Sequence, residues 1–342
     1  MTAPKVTVSL VTYNHAPFIA QAIESVLAQQ TSFDFELVIG EDDSSDGTRA
    51  IVQRYADAHP DKIRLHLHSR STNIAYKGKP TGRFNFVHNL RSARGQYIAI
   101  LDGDDYWTDP QKLQLQADYL DAHPECSTCF CHSLNVNEQG EPVATTPALN
   151  PVRSSYTLAQ FLQGEFRSRL STTMYRRGLF ADFPDWYFTL PAGDFPLHIL
   201  NGQHGNFAPI DREMVAYRIH AGGVWTQGFN DEDFFRNAAP ADQIRRLRVM
   251  IELQSMALRF LGPEYAPILH PPLTSRTIRL VDLLSATGDW PAMRTTLREI
   301  LRDRSSWGRY PLLWILRSVL VSRLPFLARR RAVTSQGKVA AS

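Results

Sequence analysis

The segment GQYIAILDGDD, residues 95–105, joins an apolar run directly to a cluster of acids. The run 97–101 has the length and composition of a strand buried on both faces. Asp102, Asp104 and Asp105 follow at once. Like charges placed together repel one another unless a cation lies among them. The segment therefore predicts a buried strand that ends at a cation site.

The segments before this strand alternate between strand and helix patterns. Three are strand-like: KVTVSLVTY (5–13), FELVIGEDD (35–43) and KIRLHLH (62–68). Three have helical spacing of apolar residues: APFIAQAIESVLAQQ (16–30), TRAIVQRYADAHP (48–60) and NFVHNLRSAR (85–94). This rhythm predicts an α/β fold with a mainly parallel sheet flanked by helices. The less regular segment 124–220 is expected to add a helix and two strands, which makes the sheet mixed.

Polar residues follow three of the predicted strands, in TYN (12–14), EDDSSDG (41–47) and DGDD (102–105). In an open α/β sheet, ligands bind at the carboxyl ends of the strands. We therefore expect the three segments to meet in one crevice.

After about residue 230 the pattern becomes helical, in segments 241–262 and 275–303. The sequence predicts a site-bearing domain over 1–230 and a helical region over 231–342. The end of that region is apolar and basic, and no acid follows Asp303. Such a tail is typical of a helix on an anionic membrane surface, or of a helix packed on the rest of the protein with solvated arginines.

The composition is that of a soluble globular protein, with 342 residues, 43% hydrophobic and 21% charged. A net charge of +3 is too small to indicate a nucleic-acid partner. No signal peptide and no spanning helix are predicted, so a cytoplasmic protein is expected, with peripheral contact at the inner face of the membrane through the tail.

The three cysteines lie close together, as Cys126, Cys129 and Cys131 in CSTCFCHS. A zinc site would use them with His132. The favoured interpretation is a buried strand, in which small thiols pack well, since no second ligand cluster supports the metal.

The chain lacks both common phosphate-binding loops, because the turn after the first strand, TYNHAPF, has no glycine and no GxxxxGK[ST] motif occurs. Any phosphates are then expected to be held by a metal. Asp102 and Asp104 point to the same side of the chain, and Gly103 lets the backbone approach a ligand. Oxygen ligands favour Mg²⁺ or Mn²⁺.

The sequence resembles the family 2 glycosyltransferases of the GT-A fold. The resemblance extends over 6–225 and is carried by VSLVTYNHAPFIAQAIESVLAQ, FELVIGEDDSSDGT, ARGQYIAILDGDDYWTDPQKL, STTMYRR and YRIHAGG, in that order. It implies an inverting enzyme that uses nucleotide-diphosphate sugars with Mn²⁺ or Mg²⁺. The Q-x-x-R-W block and membrane spans of processive relatives are missing, so the addition of single sugars is expected.

The resemblance also implies roles for residues of the donor site. Asp43 corresponds to the acid that contacts the nucleotide base, and Tyr13 lies where the family packs residues against that base. Thr12, next to Tyr13, belongs to the same nucleotide-sugar site. Arg83, in a loop expected before the third helix, is a candidate contact for base or phosphate. Glu41 replaces an apolar residue of many relatives and receives no role.

For the metal, the resemblance implies that Asp102 holds ribose or metal and that Asp104 binds the metal across the diphosphate. His220 in YRIH is a candidate further ligand of metal or diphosphate, with a structural role as the alternative. Asp105 matches a further acid of the family whose role is less defined.

Asp194 in LPAGDFPLHIL matches the position of the family's catalytic base. One carboxylate suffices, because the metal neutralises the leaving group. A helix cap is the alternative role for this residue. Asp182, Asp185 and Asp211 fit the motif less well.

The sequence therefore predicts a metal-dependent inverting glycosyltransferase. It is expected to move one sugar, UDP-linked by preference, to a saccharide or lipid-linked saccharide in surface polysaccharide or glycoconjugate assembly. Two alternatives remain open here: a nucleotidyltransferase, which normally carries a Gly-rich basic signature near the first strand, and a non-catalytic sugar-nucleotide-binding scaffold.

Overall fold

The chain was analysed as a computed structural model, which describes residues 3–143, 153–223, 238–302 and 318–320. It divides into two compact units, 1–234 and 235–342. The first contains a mixed sheet of eight strands flanked by helices, and the second is helical in its described residues. The predicted α/β fold with a C-terminal helical region is confirmed. The boundary predicted at 230/231 falls outside the described residues and stays a prediction.

The first unit contains ten strands and six α-helices in its described residues. The strands are β1 (Val6–Thr12), β2 (Phe35–Glu41), β3 (Ile63–Leu67), β4 (Ala75–Tyr76), β5 (Lys79–Pro80), β6 (Tyr97–Asp102), β7 (Tyr106–Trp107), β8 (Cys126–Val136), β9 (Thr173–Arg176) and β10 (Asn206–Arg218). The helices are α1 (Ile19–Leu27), α2 (Thr48–Ala58), α3 (Arg83–Ser92), α4 (Lys112–Ala122), α5 (Leu158–Gln163) and α6 (Asp194–Gly202).

The main sheet has the strand order β3-β2-β1-β6-β9-β8-β10-β7, while β4 and β5 form a separate hairpin. β3, β2, β1 and β6 are parallel to one another. β9 is antiparallel to both of its neighbours, whereas β8 and β10 are parallel. The carboxyl ends of β1, β2 and β6 therefore lie along the same edge.

Helix α3 is attached to the sheet by two buried asparagines. Asn85 donates to the carbonyl of Gly40 (2.8 Å), and Asn89 donates to that of Leu10 (3.0 Å). A Cβ on Gly40 would lie 1.8 Å from Asn85 Oδ1, so only glycine permits this close approach. The helix begins at Arg83, two residues before the predicted segment.

The three cysteines lie in β8 and are buried and unpaired. This agrees with the buried-strand interpretation. His132, the fourth ligand of the alternative zinc site, has its Nε2 3.1 Å from Asp211 Oδ1.

The second unit contains α7 (Pro240–Leu261), α8 (Ala266–Ala286) and α9 (Trp290–Arg302). The predicted segment 275–303 is divided between α8 and α9 at Gly288, whose φ of +73° interrupts the helix. Within the described parts of the chain, no helix is both long and apolar enough to cross a membrane. The predicted basic tail lies outside the described residues except for 318–320.

Candidate active site

The predicted site lies at the edge of the sheet where β1, β2 and β6 end. Thr12 pairs with Glu41, and Val11 pairs with Asp102. The N–H of Gly103 donates to the carbonyl of Val11 (2.9 Å), which continues the contact beyond β6. The segments that follow the three strands are therefore neighbours, although they lie far apart in the sequence.

Asp102 and Asp104 are half-buried acids at this edge, and their charges act on one another. Burial raises the pKa of Asp102 to about 7, and the negative charge of Asp104 adds to this effect. Asp104 Oδ2 lies 3.0 Å from His220 Nε2 and 3.8 Å from His15 Nε2. Burial also acts to raise the pKa of Asp104, but the two histidines lower it below its usual value. The structure thus brings together three predicted residues and adds His15.

The donor set of this cluster fits a hard divalent cation that completes its coordination with a ligand. Among the described residues, no three His, Cys, Asp or Glu side chains are arranged to hold a metal by themselves. Mg²⁺ and Mn²⁺ commonly bind one or two carboxylates together with water and substrate phosphates. Asp102 and Asp104 are two carboxylates that could bind such an ion, and a cation beside them would offset the burial and the charge of Asp104 that raise the pKa of Asp102.

Gly103, between the two acids, packs against the end of β1. A Cβ on Gly103 would lie 2.8 Å from Thr12 Oγ1 and 2.9 Å from His15 Nδ1. These two buried polar atoms have no hydrogen-bond partner among the described residues. The sequence predicts that this glycine lets the backbone approach a ligand, whereas in the structure the backbone at Gly103 approaches the end of β1.

Asp105 is a buried structural acid. It accepts hydrogen bonds from Ser171 Oγ (2.6 Å) and from the backbone N–H of Arg218 (2.9 Å). Burial, together with the charges of Asp104 and Asp102, raises its pKa well above the usual value. Asp105 therefore ties the end of β10 to the segment after β6, and this explains the third acid of the cluster.

A second group at the same edge contains an aromatic ring, a cation and a buried acid. Asp42 Oδ2 accepts from Arg70 Nη1 (2.6 Å) and from Asn73 Nδ2 (2.7 Å). Its Oδ1 is buried and has no hydrogen-bond partner within the described part of the chain. The Arg70 guanidinium lies 3.9 Å from the ring centroid of Tyr13, which is 39% exposed. Burial raises the pKa of Asp42, although Arg70 acts to lower it.

Asp43 lies beside this group and is more open to solvent. It follows β2 by two residues and has a left-handed φ of +64°. Its carboxylate accepts from the backbone N–H of Arg70 (3.2 Å) and lies 3.4 Å from Arg49 Nη2. Glu41, which had no assigned role, is buried and accepts from the N–H groups of Asp43 (3.3 Å) and Ser44 (2.6 Å). Glu41 therefore fixes the turn that carries Asp43.

Asp194 is the first residue of α6 and its side chain is exposed. Its Oδ1 accepts from the N–H of Phe195 (2.8 Å), and it makes no capping bond further into the helix. Three effects raise the pKa of Asp102. Burial is the largest, the negative charge of Asp104 comes second, and the negative charge of Asp194 comes third. The predicted base and the predicted metal ligand therefore lie close enough to interact electrostatically.

The prediction that Arg83 lies in a loop is wrong. Arg83 is the first residue of α3, its side chain is buried, and its guanidinium donates to the carbonyl of Tyr187. The contact of Arg83 with base or phosphate stays a prediction.

Four residues of the candidate site were not predicted from the sequence: Asp42, Arg70, Asn73 and His15. Asp42 is adjacent to Asp43, the residue predicted to contact the nucleotide base. The two acids differ in burial, which the sequence does not reveal. Arg70 and Asn73 belong to a short 3₁₀ turn and its end, at 70–73, for which apolar spacing gives no signal. His15 belongs to the polar segment after the first strand. Its ring faces Asp104 because of the conformation of the turn after β1, which the sequence pattern does not give.

Comparison with known sequences finds a matching protein family and several similar proteins. The family model described as Glycosyl transferase family 2 matches residues 7–183. An uncharacterized protein of Mycobacterium tuberculosis (strain H37Rv) is 32% identical over 249 residues, which cover 71% of this chain and 67% of that protein. The Staphylococcus aureus poly(ribitol-phosphate) β-N-acetylglucosaminyltransferase TarS is 29% identical over 191 residues, which cover 54% of this chain and 29% of TarS.

Two solved structures share the fold. One is the mannosyltransferase PcManGT from Pyrobaculum calidifontis, in complex with GDP-Man and Mn²⁺, with a TM-score of 0.53 and 18% sequence identity. The alignment covers 98% of this chain and 84% of the PcManGT chain. Residues 1–349 of S. aureus TarS in complex with UDP have a TM-score of 0.51 and 19% identity, with 87% and 91% of the two chains covered.

Proposed function

Because the chain belongs to glycosyl transferase family 2, we propose that it moves a single sugar, with inversion, from a UDP-sugar to a saccharide or lipid-linked saccharide. The observation that carries this proposal is the meeting of two groups at one sheet edge, the pair Asp102 and Asp104 and the group around Asp42. The negative charge of Asp194, at the start of α6, also acts on Asp102.

The nucleotide base binds at the group formed by Tyr13, Arg70 and Asp42. The Asp42 carboxylate has a buried oxygen with no partner among the described residues, and a carboxylate oxygen can accept the ring N–H of uracil. The Arg70 guanidinium can donate to a ring carbonyl, and Tyr13 offers an exposed aromatic face. We favour Asp42 over the originally predicted Asp43 because Asp43 is more exposed and already lies near Arg49. Thr12, the last residue of β1, belongs to the same nucleotide-sugar site.

Asp102 and Asp104 would hold Mn²⁺ or Mg²⁺, and His220 would be a further ligand to metal or diphosphate. When bound, the ion neutralises the charge that develops on the departing diphosphate. His220 and His15 hold Asp104 ionised at neutral pH, since both lower its pKa. An ionised carboxylate is the form that binds a cation.

Asp194 accepts the proton of the acceptor hydroxyl as that oxygen attacks the sugar. Its exposed position at the start of α6 leaves its second oxygen accessible to an incoming hydroxyl. A positioned base contributes about 10²- to 10⁴-fold to the rate. No acid is required on the other side, because the diphosphate can leave as an anion and a bound divalent ion would offset its charge.

The acceptor is part of a surface polysaccharide or glycoconjugate, and transfer takes place in the cytoplasm at the inner face of the membrane. The name of TarS, a poly(ribitol-phosphate) β-N-acetylglucosaminyltransferase, supports a polymeric acceptor. The basic sequence after residue 303 supports contact with an anionic surface.

The proposal is tested by measuring release of free nucleoside diphosphate from a panel of UDP-sugars and GDP-mannose with Mn²⁺. We expect release from at least one UDP-sugar, and loss of release with excess chelator and in Asp104→Ala. Asp118→Ala, which alters an exposed acid on α4, is the matched control. Absence of release from every donor would overturn the transfer proposal, and full activity in the presence of chelator would overturn the metal assignment.

A further inference from the structure

A chain of buried contacts leads from α3 to the backbone just before Asp194. The Arg83 guanidinium donates to the carbonyl of Tyr187 and lies 5.3 Å from the centroid of its ring. Tyr187 is completely buried, and its hydroxyl donates to the carbonyl of Gly193 (3.1 Å). Gly193 is the residue before Asp194. We refer to Arg83 and Tyr187 as the Arg83–Tyr187 brace.

The packing at Gly193 shows that the brace is in close contact with this backbone. A Cβ on Gly193 would lie 3.1 Å from the Tyr187 hydroxyl oxygen. By contrast, the side chain of Asp194 has one hydrogen bond within the described part of the chain, from the adjacent N–H of Phe195. The position of the carboxylate therefore depends on the backbone at 193–194, and Tyr187 holds that backbone.

Arg83 has an unusual environment for a charged residue. It is 7% exposed, and among the described residues it has no carboxylate within ion-pair distance. Burial lowers the pKa of Arg83, while Tyr187 and the negative charge of Asp194 act in the opposite direction. A buried cation without an ion pair is costly to retain, so the placement of Arg83 against Tyr187 calls for an explanation.

We propose that Arg83 and Tyr187 are positioning residues that fix Asp194 for proton transfer, and that Arg83 does not contact the nucleotide. This inference rests on the proposed role of Asp194 as the base. A displacement of about 1 Å in a reacting group can cost about 10²-fold in rate, so a fixed backbone at Gly193 would have a direct effect on catalysis by Asp194.

The remainder of α6 has its own attachment. His198, one turn after Asp194, has Nδ1 2.7 Å from the Tyr175 hydroxyl and Nε2 2.9 Å from Ser168 Oγ. Loss of the Tyr187 hydroxyl therefore leaves the helix anchored and loosens its first turn. Tyr187→Phe is accordingly a local change.

The first test compares turnover with donor affinity in Tyr187→Phe, Arg83→Met and Arg83→Lys. The donor is the UDP-sugar selected by the panel above. We expect kcat to fall about tenfold in Tyr187→Phe and further in Arg83→Met, with the Kd for UDP in the presence of Mn²⁺ unchanged. Arg83→Lys keeps a charge and a donor for the Tyr187 carbonyl, so it should restore part of kcat. Weaker UDP binding in Arg83→Met would overturn the inference and favour a nucleotide contact.

Tyr97→Phe is the matched control, because Tyr97 is also fully buried and donates a hydrogen bond, to Asp121 (2.6 Å), away from this edge. It should lower Tm by a similar amount and leave kcat unchanged. An equal loss of kcat in the two Tyr→Phe variants would mean that general destabilisation, and not positioning, explains the effect.

A double-mutant cycle separates this inference from the proposed function. If Tyr187 acts through the base, Tyr187→Phe should cause no further loss in an Asp194→Asn background. If the falls in kcat of the two single variants multiply in the double variant, the positioning role of Tyr187 is wrong, even though the assignment of Asp194 as the base stands. Full activity of Asp194→Asn alone would instead show that the proposed base is wrong. Should Arg83→Met fail to fold, the Tyr187 cycle decides by itself.

Discussion

Asp194 is the residue on which the proposed chemistry most directly depends. Asp194→Asn keeps the size of the side chain and its bond from the N–H of Phe195, but the amide cannot accept the proton. We expect kcat to fall by at least about 10²-fold, with UDP and Mn²⁺ binding nearly unchanged. Asp185→Asn, at a nearby exposed acid, is the control and should be fully active. Loss of donor affinity together with rate would make Asp194 a binding or folding residue.

The adjacent acids Asp42 and Asp43 provide a matched pair for the base contact. Asp42→Asn places an amide where the buried unpartnered oxygen lies, so it should weaken UDP binding at least about tenfold, the scale of a lost charge-assisted hydrogen bond. Asp43→Asn should have a smaller effect because its carboxylate is more exposed. Calorimetry with UDP and Mn²⁺ measures both. The reverse order of effects would support the original assignment to Asp43.

Lys112 on α4 gives a prediction about the pH dependence of stability. It is fully buried, donates to Gln116 Oε1 (2.8 Å) and lies 4.2 Å from the ring of Trp107. Burial lowers the pKa of Lys112 to about 8, from a usual value of 10.5. Between these values the unfolded chain binds more protons than the folded one, so this residue makes stability rise with pH.

Lys112→Met should remove this effect. The free energy of unfolding of the unchanged protein minus that of the variant should therefore increase between about pH 8 and pH 10.5. Urea unfolding of both proteins across this range measures the difference. The comparison is necessary because burial raises the pKa of the cysteine thiols, which makes stability fall with pH in both proteins. A difference that does not vary with pH would show that Lys112 titrates normally.

At the level of elements, the attachment of α3 to β2 depends on the absence of a side chain at Gly40. Gly40→Ala would force Asn85 away from its buried position and from the Gly40 carbonyl. We expect a loss of about 1–3 kcal/mol in the free energy of unfolding, as in other overpacked cores. Gly82→Ala is the control, since a Cβ there meets no atom within 4 Å, and it should change stability by no more than about 0.5 kcal/mol. Equal Tm values for the two variants would contradict this account of the attachment.

At the level of the whole molecule, the basic tail is expected to hold the enzyme at a membrane. Its sequence carries seven cations without an acid: Arg309, Arg317, Arg323, Arg329, Arg330, Arg331 and Lys338. Each is worth about 1 kcal/mol near an anionic surface. Removal of the residues after 306 should spare UDP release from the donor and impair transfer to a membrane-borne acceptor.

Co-sedimentation with vesicles tests the tail directly. The full chain should bind vesicles that contain phosphatidylserine more strongly than vesicles of phosphatidylcholine, and binding should weaken as salt rises. The truncated chain should lose this preference. Equal sedimentation with both lipids, together with a lower Tm on truncation, would indicate a helix that packs on the protein instead.

The alternation of strands and helices, the strand ends that carry the candidate site, and the family could all be predicted from the sequence. These follow from local properties, because apolar spacing, strand-end acids and ordered motif blocks can be recognised without knowing which residues meet. The resemblance stated from the motif blocks is confirmed by the family match over 7–183. The roles predicted for individual site residues remain to be tested.

The burial and the contacts of neighbouring side chains depend on the tertiary structure and could not be predicted from the sequence. Asp42 and Asp43 are chemically identical, and the left-handed φ at Asp43 gives the two carboxylates different surroundings. The Arg83 guanidinium is directed inward because the carbonyl of Tyr187, 104 residues later, accepts its hydrogen bond. Asp105 is structural because Ser171 and the N–H of Arg218 lie beside it. Such contacts join distant parts of the chain, and no local pattern encodes them.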